Sequence, residues 1–194
     1  MNIHRIIPQT SAEGPGKRFA LWTQGCSRHC KGCMLPETWS FGSHTLLSVE
    51  EILDKISNTP GIEGVTVLGG EPFEQSRELA ELLAGVRKMG LSTIVFTGFT
   101  LRELELMENH TLEALRHIDV LVDGEYIEAL RSFQVPMIGS QNQRFHFLTD
   151  RYRMEDIPPN KIEMRIAVDG SIQYNGMGAF EKIKDWWRKD GYEI

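Results

Sequence analysis

All three cysteines of this 194-residue chain fall between positions 26 and 33, in Gly25-Cys26-Ser27-Arg28-His29-Cys30-Lys31-Gly32-Cys33. An odd set of thiols in so short a stretch is no disulfide framework, and in a reducing compartment it reads as metal-binding or catalytic sulfur. The spacing is C-x3-C-x2-C. Three thiolates on one short loop can wrap a face of a compact metal centre, and thiolate is the usual ligand of iron-sulfur clusters. Three ligands leave a fourth iron uncovered. Zinc is the competing reading. Structural zinc takes four protein ligands, typically as two separated pairs, and no second pair exists here. His29 would complete a Cys3His set only by straining the loop between two of the cysteines. A redox pair at Cys30 and Cys33 would leave Cys26 unexplained.

The elements that position this loop follow from the hydrophobic pattern. Residues 18–24 predict a first strand running straight into the cysteine loop. Ser48 with Glu51 three residues on is a capping box, opening a helix on which Ile52, Leu53 and Ile56 share a face. Residues 65–68 predict a short buried strand ending at Gly69-Gly70, after which Leu79, Leu82, Leu83, Val86 and Met89 recur at helical spacing as far as Gly90. Residues 93–97 predict the next strand, 101–108 a helix, 118–122 another strand ending at Asp123-Gly124, and 125–131 a short helix. This alternation is that of an α/β fold around a largely parallel sheet. In such folds ligands gather at the carboxyl ends of the strands. The cysteine loop, Gly69-Gly70-Glu71, Thr97-Gly98 and Asp123-Gly124 are therefore expected on one rim. Any one of these glycines is most simply a turn; four in register on strand ends point to a site.

Asp169-Gly170, flanked by residues 162–168 and 171–174, signals a hairpin, and residues 179–189 predict a closing helix with Trp186 and Trp187 as packing anchors. Two domains are expected: a core over residues 1–152, and an extension of hairpin and helix over 153–194 packed on it. With 21 Lys plus Arg against 27 Asp plus Glu, a net charge of -6, the chain has no basic field for nucleic acid or an anionic membrane. No apolar signal core opens it and no uninterrupted apolar run approaches the ~20 residues that span a bilayer, so a cytoplasmic location is expected.

The C-x3-C-x2-C loop followed by Gly69-Gly70-Glu71-Pro72 resembles the radical SAM enzymes. The resemblance implies a partial (β/α)6 TIM-like barrel, with Cys26, Cys30 and Cys33 ligating a 4Fe-4S cluster whose open iron chelates S-adenosylmethionine. It further implies that an electron from the reduced cluster breaks the sulfonium bond, giving methionine and a 5'-deoxyadenosyl radical. Gly69, Gly70 and Glu71 would bind the methionine end, Thr97 and Asp123 would add polar contacts, and Gly32 and Met34 would touch the cofactor through their backbones. No catalytic side chain beyond the cluster and cofactor is implied, since the cofactor radical abstracts the hydrogen atom.

Gly14-Pro15-Gly16-Lys17-Arg18 and Trp22-Thr23-Gln24-Gly25-Cys26 resemble the signature of glycyl radical enzyme activases. Trp22 stands where phenylalanine is usual. Segments 33–39, 96–99, 120–124 and 139–144 are similar to the activases of anaerobic ribonucleotide reductase, which share glycine at position 32. That resemblance implies a glycyl radical enzyme, an anaerobic ribonucleotide reductase, as partner, and flavodoxin or ferredoxin as electron donor. A radical SAM enzyme acting on a peptide or small molecule, and a non-catalytic zinc-binding module, are the alternatives.

Overall fold

In the computed structural model, residues 1–107 and 109–178 are described. A seven-stranded mixed sheet organises them, in the order β3-β1-β2-β4-β5-β6-β7. Its strands are β1 (Asn2–Thr10), β2 (Arg18–Thr23), β3 (Thr45–Leu46), β4 (Gly64–Gly69), β5 (Ser92–Phe96), β6 (Val120–Asp123) and β7 (Arg144–Phe147). β2, β4, β5 and β6 run parallel; β1, β3 and β7 pair antiparallel at the flanks. The helices are α1 (Val49–Ser57), α2 (Ser76–Lys88), α3 (Leu101–Glu105) and α4 (Asn109–Leu115). A separate antiparallel pair, β8 (Ile162–Ile166) and β9 (Ile172–Gly176), follows.

Both faces of the parallel block are covered, which is why its strands read as almost continuous apolar runs. On one face Phe19, Leu21, Val65, Val67, Val95 and Leu121 pack against Ile52 and Ile56 of α1 and Leu79, Leu82, Leu83 and Val86 of α2. Ser48 caps α1 as the sequence indicates: its hydroxyl accepts from Glu51 N, and the Glu51 carboxylate accepts from Ser48 N. On the other face Ile94 and Val120 meet Met137 and Ile157, while Trp22 packs with Ile7 and Ala20. Core packing thus continues past residue 152 to Ile157.

The expected (β/α)6 repeat is not what the described residues show, since four parallel strands stand in place of six. The reason lies in the connections. A parallel crossover needs a dozen or more residues, usually with a helix. β1 reaches β2 through residues 11–17 alone, and the link from β6 to β7 contains one 3-10 turn, Glu128–Leu130, and no α-helix. That turn also replaces the helix expected over 125–131. The helix expected over 101–108 stops at Glu105, and Glu108 lies outside the described residues, as does the helix expected over 179–189. β1, β7 and α4 were not anticipated. β1 carries His4 and Arg5 amid its apolar residues and so lacks a clean strand period, while β7 alternates polar and apolar residues but is only four residues long. Among the described residues no helix is long and apolar enough to cross a membrane.

At the amino end of β2 the fold buries a cation completely. Arg18 donates to Thr66 Oγ1 (3.1 Å), Ser92 Oγ (2.5 Å), Val65 O (2.7 Å) and Tyr152 OH (3.3 Å), all neutral acceptors. Burial pulls its pKa down to about 10, which leaves it charged at neutral pH. Arg18 thereby ties β2, β4, β5 and the segment after β7 together. Arg18→Met is expected to lower stability by about 3 kcal/mol in urea unfolding, because several buried acceptors lose their donors at once. A change under about 0.5 kcal/mol would mean the network is dispensable.

Candidate functional site

β2 delivers the chain to the cysteine loop, and a neck of hydrogen bonds closes the loop on itself. Gly25 N donates to Thr38 O (2.8 Å) and Cys26 N to Trp39 O (3.2 Å). The Gln24 amide grips the far side, donating to Glu37 O (3.0 Å) and Ser40 O (2.9 Å). Within the loop His29 takes a left-handed backbone (φ +46°), and its exposed ring stacks on Trp39 at 4.8 Å. The imidazole is thus engaged with an aromatic face.

All three cysteines are free, Cys26 buried and the other two half-buried. Each sulfur accepts a backbone N–H. The backbone N–H groups of Arg28 and His29 act on Cys26 and that of Tyr126 on Cys30, and Cys33 accepts from Leu35 N at 3.4 Å. Burial pushes the Cys26 and Cys30 thiols up, and these N–H donors oppose it by favouring thiolate. N–H donors aimed at sulfur are also a main lever on iron-sulfur clusters.

Cys26, Cys30 and Cys33 line one cavity of about 150 Å³ together with Gly69, Gly70, Glu71, Thr97 and Gly98. Among the described residues no three His, Cys, Asp or Glu side chains converge tightly enough to hold a single metal ion. Three thiols spread around a cavity, each with an N–H donor, fit a multi-iron centre better than one ion.

The glycine wall exists because two main chains meet there. Gly69 has φ +107°, and a Cβ on it would lie 2.6 Å from Thr23 N; a Cβ on Gly70 would lie 2.3 Å from Gly25 O. In their place Gly70 N donates to Thr23 O and Glu71 N to Gly25 O, both at 2.8 Å. The parallel pairing of β2 with β4, which ends at Thr23 opposite Gly69, is carried on into both loops.

Glu71 is fully buried. Its carboxylate accepts from Gly98 N (2.7 Å), Thr97 Oγ1 (2.8 Å) and Phe73 N (3.1 Å), binding the end of β4 to the end of β5. Burial pushes its pKa up to about 7 against these donors.

Of the other expected site residues, Thr97 lines the cavity, while Gly32, Met34 and Asp123 do not. Gly32 and Met34 are exposed, and a Cβ on Gly32 would meet the Glu128 side chain at 2.8 Å. The Asp123 carboxylate accepts from Leu101 N (2.6 Å) and lies 2.9 Å from His146 Nε2, so it anchors α3 and β7, and Gly124 reaches the cavity instead. Arg28, Thr38, Trp39, Phe96, Tyr126 and Gln143 complete the wall. Of these Arg28 had no signal in the sequence beyond lying between two cysteines. Its guanidinium sits 4.7 Å over the Phe99 ring, 3.8 Å from Glu103 and 3.7 Å from Glu125.

The raised Glu71 pKa carries a sign. Between about pH 4.5 and about pH 7 the folded chain holds a proton that the unfolded chain releases. This contribution to stability is complete below about pH 4.5 and is lost as pH rises through about 7. Glu71→Gln is therefore expected to remove pH-dependent stability of order 3 kcal/mol across that window, measured by urea unfolding of the metal-free chain from pH 5 to 8. Parallel pH profiles for the two proteins would refute it.

Residues 12–146 match the 4Fe-4S single cluster domain family. The anaerobic ribonucleoside-triphosphate reductase-activating protein of Enterobacteria phage T4 is 32% identical over 157 residues, covering 77% of this chain and 96% of the relative. Its namesake in Escherichia coli K12 is 30% identical over 156 residues, covering 76% and 99%. The crystal structure of QueE from Escherichia coli superposes on 50% of this chain and 52% of its own, with a TM-score of 0.43 and 22% identity, too slight a likeness to bear on fold or function. With its free thiols ringed by N–H donors and relatives aligned over nearly their whole length, the chain belongs to the 4Fe-4S single cluster domain family, alongside the anaerobic ribonucleoside-triphosphate reductase-activating proteins.

Proposed function

We propose that Cys26, Cys30 and Cys33 hold a 4Fe-4S cluster, that S-adenosylmethionine binds against it in the same cavity, and that the chain installs a glycyl radical on an anaerobic ribonucleotide reductase. The observation that carries this reading is the convergence of three N–H-supported thiols and the Gly69-Gly70-Glu71 wall on one cavity. The names of the relatives support the choice of partner. When bound, cluster and cosubstrate together supply the one-electron cleavage of the sulfonium bond and the carbon radical that takes a hydrogen atom from the partner's glycine.

The protein's own share is position and exclusion of water. The N–H groups of Arg28, His29, Tyr126 and Leu35 stabilise the three sulfurs as thiolates. Gly69 and Gly70 let the end of β4 close against Thr23 and Gly25, and main-chain carbonyls on this wall would serve as acceptors for a cationic amine. Glu71 keeps the ends of β4 and β5 at a fixed separation through Thr97 and Gly98. Trp39, Phe96 and Tyr126 narrow the cavity with apolar surface. No general acid or base is needed for hydrogen-atom transfer. The four parallel strands are read as a shortened counterpart of the partial barrel, working in the cytoplasm with flavodoxin or ferredoxin as donor.

The relatives align over nearly their whole length but over about three quarters of this chain. That surplus is the one observation favouring a different substrate, a peptide or small molecule, for the same chemistry.

Anaerobic reconstitution is expected to give a brown protein that releases 5'-deoxyadenosine under dithionite, whereas zinc uptake with no such product would refute the reading. Mixing with anaerobic ribonucleotide reductase should yield a glycyl radical by paramagnetic resonance; cleavage with no such radical, and radical products on another substrate, would transfer the chemistry to that substrate. Cys30→Ala is expected to reduce cluster content and cosubstrate cleavage to background while leaving the fold intact by circular dichroism.

A further inference from the structure

The hairpin of β8 and β9 is held by polar contacts to the end of β1 and to the connection that follows it, residues 11–17. Glu163 accepts from Thr10 Oγ1, Ser11 N and Ser11 Oγ, each at 2.7 Å. Arg165 pairs with Glu163 at 2.7 Å and donates to Gln9 O and Asn175 Oδ1. Asn175 is buried, and its amide donates to Thr10 Oγ1 and Glu13 Oε1, both at 2.9 Å. The main chains also close up here. Gly176 N donates to Glu13 Oε1 at 2.7 Å, and a Cβ on Gly176 would lie 2.8 Å from Ala12 Cβ. This seam sits by the amino end of β2, at the opposite end of that strand from the cysteine loop.

The two carboxylates of the seam are built differently. Glu163 has both oxygens engaged and a guanidinium against it; against partial burial, hydrogen bonds from Ser11, Thr10 and Arg165 hold its carboxyl below the usual range. Glu13 is only 7% exposed. Both of the hairpin's hydrogen bonds to it go to Oε1, so a proton on Oε2 costs neither of them. A neutral carboxyl suits such a place, whereas an ionised one is expensive to bury.

The groups around Glu13 decide how hard it is to ionise. From β1 comes Arg5, which lies 4.1 Å over the Trp22 ring and meets Tyr174 of β9; from β8 come Glu163 and Arg165. Burial pushes the Glu13 pKa up to about 6, opposed by the donors Asn175 and Gly176 and by the Arg5 charge, and assisted by the charge of Glu163. The main-chain oxygen of Glu13 accepts from Thr66 Oγ1, the same hydroxyl that accepts from Arg18, so the seam is one hydrogen bond from the buried cation of the sheet.

We propose that Glu13 is a proton-operated latch for the hairpin: with its carboxyl neutral the hairpin is held on the β1–β2 connection, and ionisation of that carboxyl loosens the hairpin from the sheet. The sign follows from burial. Docked, Glu13 keeps its proton up to about pH 6, while a freely solvated glutamate loses it near 4.5. The contribution to docking is complete below about pH 4.5 and is lost as pH rises through about 6. Half of the latch lies beyond the family match, which ends at residue 146, and it operates whatever chemistry the cysteine loop performs.

Hydrogen exchange read by mass spectrometry on the full chain, with or without reconstituted cluster, tests it once rates are corrected for the intrinsic pH dependence of amide exchange. Protection of residues 162–176 is expected to fall about fivefold or more between pH 5 and pH 7.5. Glu13→Gln, whose Oε1 can keep both hydrogen bonds, should hold the hairpin protected and level across that range. Glu163→Gln should weaken protection at every pH and keep the slope, since that group is ionised throughout. Glu71→Gln should leave the hairpin's slope in place, which separates local release from unfolding of the whole sheet. Equal protection at both pH values in the wild-type chain would overturn the proposal, as would a slope that survives Glu13→Gln or disappears with Glu71→Gln. A Glu13→Gln hairpin as loose at every pH as the wild-type one at pH 7.5 would overturn it too.

Discussion

The site depends on one close approach of main chain to main chain. At the carboxyl ends of β2 and β4, Gly69 and Gly70 lie so near Thr23 and Gly25 that no side chain fits between them. Two 2.8 Å hydrogen bonds cross this seam and fix the glycine wall in register with the first residues of the cysteine loop. A sheet register is a discrete quantity, so the cysteine loop and the cavity-lining backbone after β4 are set relative to each other by strand pairing. Loop flexibility has little say in the matter.

From this seam the order spreads along two routes. Gln24, one residue before the glycine that begins the loop, holds both His4 of β1 and the returning segment at Glu37 and Ser40, so the neck is braced from the flanking strand. Glu71, one residue after Gly70, reaches to Thr97 and Gly98 and so brings β5 into the same frame. Below, at the amino ends of the strands, Arg18 spans β2, β4 and β5. Buried polar groups thus clamp the parallel block at both ends, with apolar layers between them.

The parts of this arrangement that were legible in the sequence are those with strong local signatures. The exposed capping box at Ser48 and the one-sided period of α2 survive in the structure, as do the runs of β2, β4, β5 and β6, where burial on both faces leaves few residue types available. The cysteines and glycines of the rim were visible by type and spacing. Hidden from the sequence were contacts set only by tertiary placement. Asp123 sits at a strand end, as an acidic ligand residue would, yet its carboxylate turns to Leu101 N; the backbone at Gly124 is what faces the cavity. Tyr126 carries no pattern of its own and acquires a role because the β6–β7 connection passes beside Cys30. The antiparallel flanks were missed for a related reason: β1 lies outside the parallel block, with only the two-residue β3 beyond it, and carries half-buried His4 and Arg5 amid its apolar residues.

The donors to sulfur come from two very different parts of the chain. Cys26 and Cys33 are served from within their own loop, but the N–H that reaches Cys30 belongs to Tyr126, on the long irregular connection that also walls the cavity with Gly124 and Gln143. Hydrogen bonding to ligand sulfur is one of the terms that set a cluster's reduction potential. In a cluster held by these thiols, the stretch of backbone that helps shape the chamber would also help set the ease with which an electron is accepted there.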